Sequence, residues 1–313
     1  MRKLIVIAGP TAIGKTAIAI ELALRLGGEI ISADSMQVYK HMDIGTAKPM
    51  REEMKGVSHY LIDELEPDKD YSVAIFVRRA KAYLEDIYRR GKQPIVVGGT
   101  GFYINALVYD NSFNSSADES DAEPAYREKL YKIAKSQGAD SLHKILAEVD
   151  LISAQRIHPN NVKRIVRALE FYKLEGRSIS DHNDLERERS SPYDTSFLIL
   201  NMSRERLYHR IEKRVDKMLE DGLVGEVQRL LDNGVSPDSV SMRGLGYKEL
   251  VPYIQGQIPL DEAVELLKRN TRRFAKRQLT WFKNRCDGIW INVDETDNTC
   301  IIEGIISELR VES

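Results

Sequence analysis

Residues Gly9-Pro10-Thr11-Ala12-Ile13-Gly14-Lys15-Thr16 fill every specified position of the pattern G-x-x-x-x-G-K-[ST], and no other stretch restricts the fold so strongly. Two glycines let the backbone curl until successive N–H groups point inward, a cradle for phosphate oxygens. Lys15 adds a point charge, and Thr16 sits where a helix opens, so the helix dipole favours an anion and the hydroxyl can ligate Mg²⁺. The flanks fit a P-loop. Lys3 to Ala8 is an apolar, β-branched run of the kind a buried parallel strand shows. Ala17 to Leu26 reads as helix, stopped by Gly27-Gly28, and Ile30 to Ala33 as a second strand ending on Asp34. This is a βαβ unit, and it predicts an α/β fold: a P-loop NTPase-like, doubly wound parallel sheet.

With 313 residues, 42% of them hydrophobic, the chain can bury a sizeable core and is long enough for two domains or for one with an insertion. The net charge of −2 excludes little. No apolar run approaches the ~18 residues of a membrane span, and a strand begins at once with no targeting segment before it, so a cytoplasmic protein is expected. Cys286 and Cys300 fit neither a disulfide framework nor a zinc site.

Asp34-Ser35-Met36-Gln37 begins at the carboxyl edge of a strand, where α/β proteins bind ligands, although Asp34 could equally cap a turn. Ile44 to Pro49 reads as an exposed loop. His59 to Glu64 could be mistaken for the acid-ended strand that holds Mg²⁺ in ATPases, where Asp63 would serve a kinase or ATPase only. Val73 to Arg90 reads as an amphipathic helix capped by Ser72, and Pro94 to Val97 as a further buried strand. The turn Gly98-Gly99-Thr100-Gly101 contains one hydroxyl, that of Thr100, a candidate contact to substrate or leaving group.

From Ser115 to Asp194 the pattern is polar, charge-dense and helical, which predicts a helical insertion domain (115–194) between the two parts of the core (1–114 and 195–313). Within it, Asn161 caps a helix whose first turns carry Lys163, Arg164 and Arg167. After a strand at Phe197 to Leu200, a helix from Arg204 carries Arg206, Arg210 and Arg214 along one face, which can line one wall of an anion site but is more often a solvated stripe. Arg243, Tyr247 and Lys248 decorate another glycine-rich turn, a usable nucleic-acid contact. Between Leu266 and Cys286 there are eight Lys or Arg and no Asp or Glu, among them Arg272, Arg273, Lys276 and Arg277. Such one-sided charge on an amphipathic helix predicts contact with a polyanion.

Seven ordered segments together resemble the tRNA dimethylallyltransferases: the P-loop, Asp-Ser-x-Gln-x-Tyr at 34–39, Asp-Ile-Gly-Thr-Ala-Lys-Pro at 43–49, Gly-Gly-Thr-Gly-x-Tyr at 98–103, His-Pro-Asn-Asn at 158–161, Gly-Tyr-Lys-Glu at 246–249 and Lys-Arg-Gln-x-Thr-Trp-Phe at 276–282. Ile13 and Lys163 depart from the common pattern, which often has a small residue and a Gln at those positions. The resemblance implies transfer of a dimethylallyl group from dimethylallyl diphosphate to the N6 amine of the adenosine 3′ to the anticodon, with Mg²⁺ on Thr16 and a monomer as the expected state. It assigns residues 9–16 to the diphosphate. Lys15, Thr16 and Arg210 would act on the leaving group, with Thr100 beside it, and Asp34 would be the base. The tRNA anticodon arm falls to Asp34, Ser35, Met36, Gln37, Thr100, Arg127, Lys163, Arg164, Arg167, Arg243, Tyr247, Lys248, Arg272, Arg273, Lys276 and Arg277. An ATP-dependent small-molecule or nucleotide kinase is the alternative that a P-loop leaves open, and a nucleotide-switched RNA-binding protein a third.

Overall fold

The computed structural model describes residues 1–110, 124–181, 190–294 and 298–311. The chain divides into two compact units, Met1–Val108 with Pro192–Ser313, and Tyr109–Ser191.

In chain order the first unit begins with β1 (Arg2–Ala8), α1 (Lys15–Leu26), β2 (Gly28–Ser32), β3 (His59–Tyr60), α2 (Val73–Arg89), β4 (Gln93–Gly98) and α3 (Gly101–Val108). The second unit supplies α4 (Pro124–Gln137), α5 (Ala139–Val149), α6 (Leu151–Arg156) and α7 (Val162–Glu175). The chain then returns through β5 (Tyr193–Asn201), α8 (Arg204–Glu220), α9 (Leu223–Asp232), α10 (Tyr247–Ile254), α11 (Leu260–Arg285), β6 (Ile289–Asn292) and α12 (Asn298–Val311).

Every pairing in the sheet is parallel, in the order β3-β2-β4-β1-β5-β6. The fold is thus an α/β doubly wound sheet. The connection from β1 leads to β2, beyond β4, whereas the chain leaving β4 returns at β5, beyond β1. Neighbouring strands whose connections diverge leave a crevice at their carboxyl ends, and the P-loop opens there. Both faces of the central strands are buried. Ile5 and Ile7 of β1 pack in one cluster with Ile18 and Leu22 of α1, Ile95 and Val97 of β4, and Leu207 and Ile211 of α8. Leu4 and Val6 alternate onto the opposite face and are fully buried. That is why β1 reads as an unbroken apolar run.

Tyr193 and Asp194, expected in the insertion, are the first residues of β5, in register with Arg2 and Lys3 of β1. The polar start of β5 hid the strand from a hydrophobic pattern, and backbone pairing to β1 decided it. The other expected boundary, at 114/115, lies outside the described residues.

The second unit has its own small core, formed by Leu130, Leu142, Leu146, Ile165, Val166 and Leu169. Buried Asp150 caps α6 through the Ser153 N–H (2.9 Å) and accepts from the Ser180 hydroxyl (2.6 Å). These bonds hold its carboxyl below the ordinary range against the opposing effect of burial, which is the largest single influence.

Candidate active site

The P-loop leaves the extended region at Gly9 (φ 149°), Ala12 (φ 66°) and Gly14 (φ 102°). A Cβ on Gly9 would lie 2.9 Å from the Leu200 carbonyl oxygen of β5, so only glycine lets the loop start against the sheet. Ala12 adopts a left-handed conformation that costs a residue with a Cβ about 1 kcal/mol. The Arg210 Nε donates to the Ala12 carbonyl (2.8 Å) and holds that conformation.

Three cations converge on the loop. Lys15 Nζ donates to the Pro10 carbonyl (2.8 Å), Arg210 to Ala12, and Arg214 Nη1 to the Thr11 hydroxyl (3.4 Å). All these acceptors are neutral, and none of the three cations has an ion-pair partner among the described residues. Their charges raise one another's cost. Burial, then the Arg214 charge, push the Lys15 ammonium down to about 7, while Asp34 acts in the other direction. Burial and Arg210 likewise depress Arg214. A site in this state gains from a multiply charged anion what it lacks in carboxylates. Of the arginine stripe on α8, Arg206 takes no part: it pairs with Asp294 (3.2 Å) beyond β6.

Beside the loop lies a cavity of about 290 Å³, lined by Thr11, Lys15, Thr16, Asp34, Gly99 and Arg214, with Ala19, Ile20, Ile30, Ile62, Val97 and Phe274 supplying apolar wall. Polar, cationic and greasy surfaces therefore share one space. Asp34 closes the turn after β2, where its Oδ1 accepts from the N–H groups of Met36 (2.8 Å) and Gln37 (3.3 Å). The capping role and the cavity-facing role are compatible, because Oδ2 remains for a partner. Ser35 and Met36 follow in that turn. Gln37 is spent internally: it accepts from Ser32 (3.0 Å) and donates to the carbonyls of Thr46 and Ala47 (3.3 Å each). In this structure it fastens a loop and offers no group to a base. Thr100 does not line the cavity; its carbonyl accepts from the Tyr103 and Ile104 N–H groups as α3 begins.

The loop at 43–49 corrects two expectations. It is half-buried, and Thr46, Ala47 and Pro49 form part of the cavity wall. The buried carboxylate of Glu226 holds it from α9, accepting from the N–H groups of Asp43 (2.9 Å), Ile44 (2.8 Å) and Gly45 (3.0 Å) and from the Tyr247 hydroxyl (2.6 Å). Tyr247 is therefore a core residue, 0% exposed, and cannot stack on a nucleobase. A Cβ on Gly45 would come within 2.6 Å of its ring. Lys48, also spent inside, binds Asp43 (2.7 Å), Asp63 and the Tyr39 carbonyl. With Asp63 so engaged and β3 only two residues long, the acid-ended strand that a kinase reading needs is not formed here.

The basic helix is real but partly compensated. Within α11, Lys268 pairs with Asp216 (2.7 Å) and Arg272 with Glu212 (2.6 Å), both on α8. Arg272 is thus a helix-to-helix tie. Arg273, Lys276 and Arg277 are exposed, as are Arg243 and Lys248 near the start of α10. In the second unit, Asn161 Oδ1 caps α7 through the Arg164 N–H (3.4 Å), and Lys163, Arg164 and Arg167 are exposed. Arg127 differs: its guanidinium grips the Glu170 carboxylate at 2.6 and 3.2 Å, a bidentate pair internal to the unit.

Residues that sequence reasoning missed are defined by their folded contacts. Glu226 of α9 reaches the loop at 43–45, about 180 residues away in the chain, whereas Lys48 gathers the nearer Tyr39, Asp43 and Asp63. Gln278, whose Oε1 accepts from the Thr11 N–H (2.9 Å), lies in the 276–282 motif, of which only Lys276 and Arg277 carried an assignment. Phe274 of the same helix lines the cavity.

The family model described as IPP transferase matches residues 37–285. A tRNA dimethylallyltransferase of Lachnoclostridium phytofermentans is 53% identical over 292 residues, covering 93% of this chain and 92% of its own. Among solved structures, a tRNA delta(2)-isopentenylpyrophosphate transferase from Staphylococcus epidermidis matches with TM-score 0.74 and 46% identity, each chain covered in full (100%). A eukaryotic dimethylallyltransferase captured acting on tRNA matches with TM-score 0.79 and 32% identity, over 93% of this chain and 74% of that one.

Proposed function

The chain belongs to the IPP transferase family, and from that premise we propose that it transfers a dimethylallyl group from dimethylallyl diphosphate to the N6 amine of the adenosine 3′-adjacent to the anticodon in tRNA. The observation that carries the assignment of the site is the convergence on the P-loop of Lys15, Arg210 and Arg214, cations bound only to neutral acceptors, with Lys15 and Arg214 lining a cavity that also has apolar wall. A prenyl diphosphate has the same division: a diphosphate head for the cations and a hydrocarbon tail for Ile20, Ile30, Ile62 and Phe274.

The exocyclic amine is a poor nucleophile, since its lone pair is delocalised into the purine. It must also leave its stack to reach the cavity. As the N6–C1 bond forms, the C1–O bond breaks and its electron pair leaves with the diphosphate. Lys15, Arg210, Arg214 and the inward N–H groups of the P-loop meet the growing charge, which is the form of stabilisation that most lowers such barriers. One amine proton passes to Asp34, held in place by the Met36 and Gln37 amides. Mg²⁺ fits this site: the Thr16 hydroxyl, at the first turn of α1 on the cavity wall, is a hard oxygen donor of the kind the ion takes alongside substrate phosphates. When bound there, the ion neutralises charge on the departing diphosphate.

The exposed cations Arg273, Lys276 and Arg277 of α11, with Arg243 and Lys248, and separately Lys163, Arg164 and Arg167 of α7, are suited to tRNA phosphates. No helix among the described residues is long and apolar enough to cross a membrane. We take the enzyme to act in the cytoplasm as a monomer. The test is direct. Unmodified tRNA, labelled dimethylallyl diphosphate and MgCl₂ should yield labelled tRNA with the label on the adenosine after the anticodon, and no label transfer would end the reading.

A further inference from the structure

We infer that Gln278, on the inner face of the basic helix α11, is a positioning residue that ties the P-loop to the Gly98–Gly101 turn and thereby sets the geometry of the diphosphate cradle. The inference rests on the prenyl-transfer reading for its kinetic arm only.

The geometry is a two-ended clamp. Gln278 Oε1 accepts from the Thr11 N–H (2.9 Å), and its Nε2 donates to the Gly99 carbonyl (2.9 Å). The side chain is 7% exposed and lies on the cavity wall. One amide therefore satisfies a backbone donor on the loop after β1 and a backbone acceptor on the turn after β4, using its oxygen and nitrogen each once. Such a buried amide has no tolerance for inversion: a carboxylate in its place would face the Gly99 carbonyl oxygen with another acceptor. Both glycines around Thr100 lie against α11, and Gly99 against Gln278 itself. A Cβ at Gly99 would lie 2.2 Å from Gln278 Nε2, and one at Gly101 would lie 2.2 Å from Cδ1 of Trp281, about one turn further along the same helix. Thr100 is thus bracketed by two positions that α11 covers.

The placement links two surfaces. Phe274, one turn before Gln278, lines the cavity, whereas Arg273, Lys276 and Arg277 on the same helix turn outward. The outer cations and the Gln278 amide thus sit on one continuous helix, Leu260–Arg285. Thr11 also accepts Arg214 on its hydroxyl, so loss of the clamp loosens the residue that orients one of the three cations.

The test uses Gln278→Ala, Gln278→Asn and Gln278→Glu in the full chain, each checked for folding by thermal unfolding. Asn retains the amide but is shorter by one carbon, about 1.5 Å. Inorganic diphosphate binding, by calorimetry with MgCl₂, should weaken about tenfold in Ala and Asn, the effect of losing roughly one well-made hydrogen bond. Single-turnover transfer at saturating donor and tRNA should slow by ~10- to 100-fold, with tRNA affinity within about threefold. Glu provides the signature that a merely structural role would not show. Its carboxyl, normally titrating near ~4.3 and raised by burial, becomes an amide mimic when protonated, so its defect relative to wild type should shrink as pH falls from about 8 to 5.5. Wild-type diphosphate affinity in Ala and Asn, a parallel loss of tRNA affinity, or a Glu-to-wild-type ratio flat with pH would each overturn the inference. If wild type binds diphosphate and transfers nothing, the prenyl-transfer reading falls and the binding arm still decides the clamp.

Discussion

The depressed ammonium of Lys15 makes ligand binding a proton-uptake reaction. In the ligand-free protein Lys15 titrates at about 7 instead of 10.5, because burial and Arg214 both disfavour its charge. At pH 8 such a group holds a proton in only about a tenth of molecules. A diphosphate between Lys15 and Arg214 reverses both influences and returns the amine to the ordinary lysine range or above, so binding at pH 8 should take up about 0.9 proton. At pH 6 the amine is already charged, and the uptake should fall to about 0.1. Affinity should therefore weaken up to about tenfold per pH unit above 7 and level off below it. The pH dependence of stability differs between the ligand-free and the ligand-bound protein. The unfolded chain keeps this proton up to 10.5, so the ligand-free fold gains stability as pH rises from about 7 to 10.5, and saturating diphosphate removes that gain. Calorimetry with inorganic diphosphate in buffers of differing ionisation enthalpy measures the uptake. Lys15→Arg is the control, since guanidinium does not titrate and the ligand's own protonation is common to both proteins. A wild-type excess below about 0.3 proton at pH 8 would refute the argument.

Asp34→Asn keeps the turn cap and loses the base, so single-turnover transfer should fall by ~10²- to 10⁴-fold with tRNA binding little changed; a rate within about threefold of wild type would remove Asp34 from the chemistry. Replacing Arg273, Lys276 and Arg277 by Ala should lower the salt slope of tRNA binding by about 0.7 to 0.9 for each phosphate left without its cation. Arg272→Ala should leave that slope unchanged, because its guanidinium is engaged by Glu212; filter binding across salt concentrations separates the two. Tyr247→Phe strips one bond from the buried Glu226 carboxylate and should cost ~1–3 kcal/mol in chemical denaturation without altering tRNA affinity. An unchanged midpoint with weakened tRNA binding would instead restore Tyr247 to the interface.

What the chain states by itself is whatever short-range physics decides. The P-loop, its flanking strand and helix, the caps Ser72 and Asn161, and the apolar strands buried on both faces all follow from local conformation and periodicity, and together they dictate a parallel α/β sheet with a phosphate site at its carboxyl edge. The one-sided charge of 266–286 is equally plain. Whether each charge is available is not, because a salt bridge is settled by the partner that another helix brings: Glu212 takes Arg272, Asp216 takes Lys268 and Glu170 takes Arg127. The same holds for polar groups that change meaning on burial. Tyr247 reads as a surface aromatic until Glu226 and Gly45 enclose it, Gln37 as a tRNA contact until Ser32 and the 46–47 carbonyls consume its amide, and Gln278 as one more residue of a basic helix until it lies between Thr11 and Gly99. Local sequence specifies what a side chain can donate, accept or bury; only the folded contacts, which reach 267 residues along the chain between Thr11 and Gln278, specify with whom, since the free energy of those pairings exists only once folding has brought the segments together.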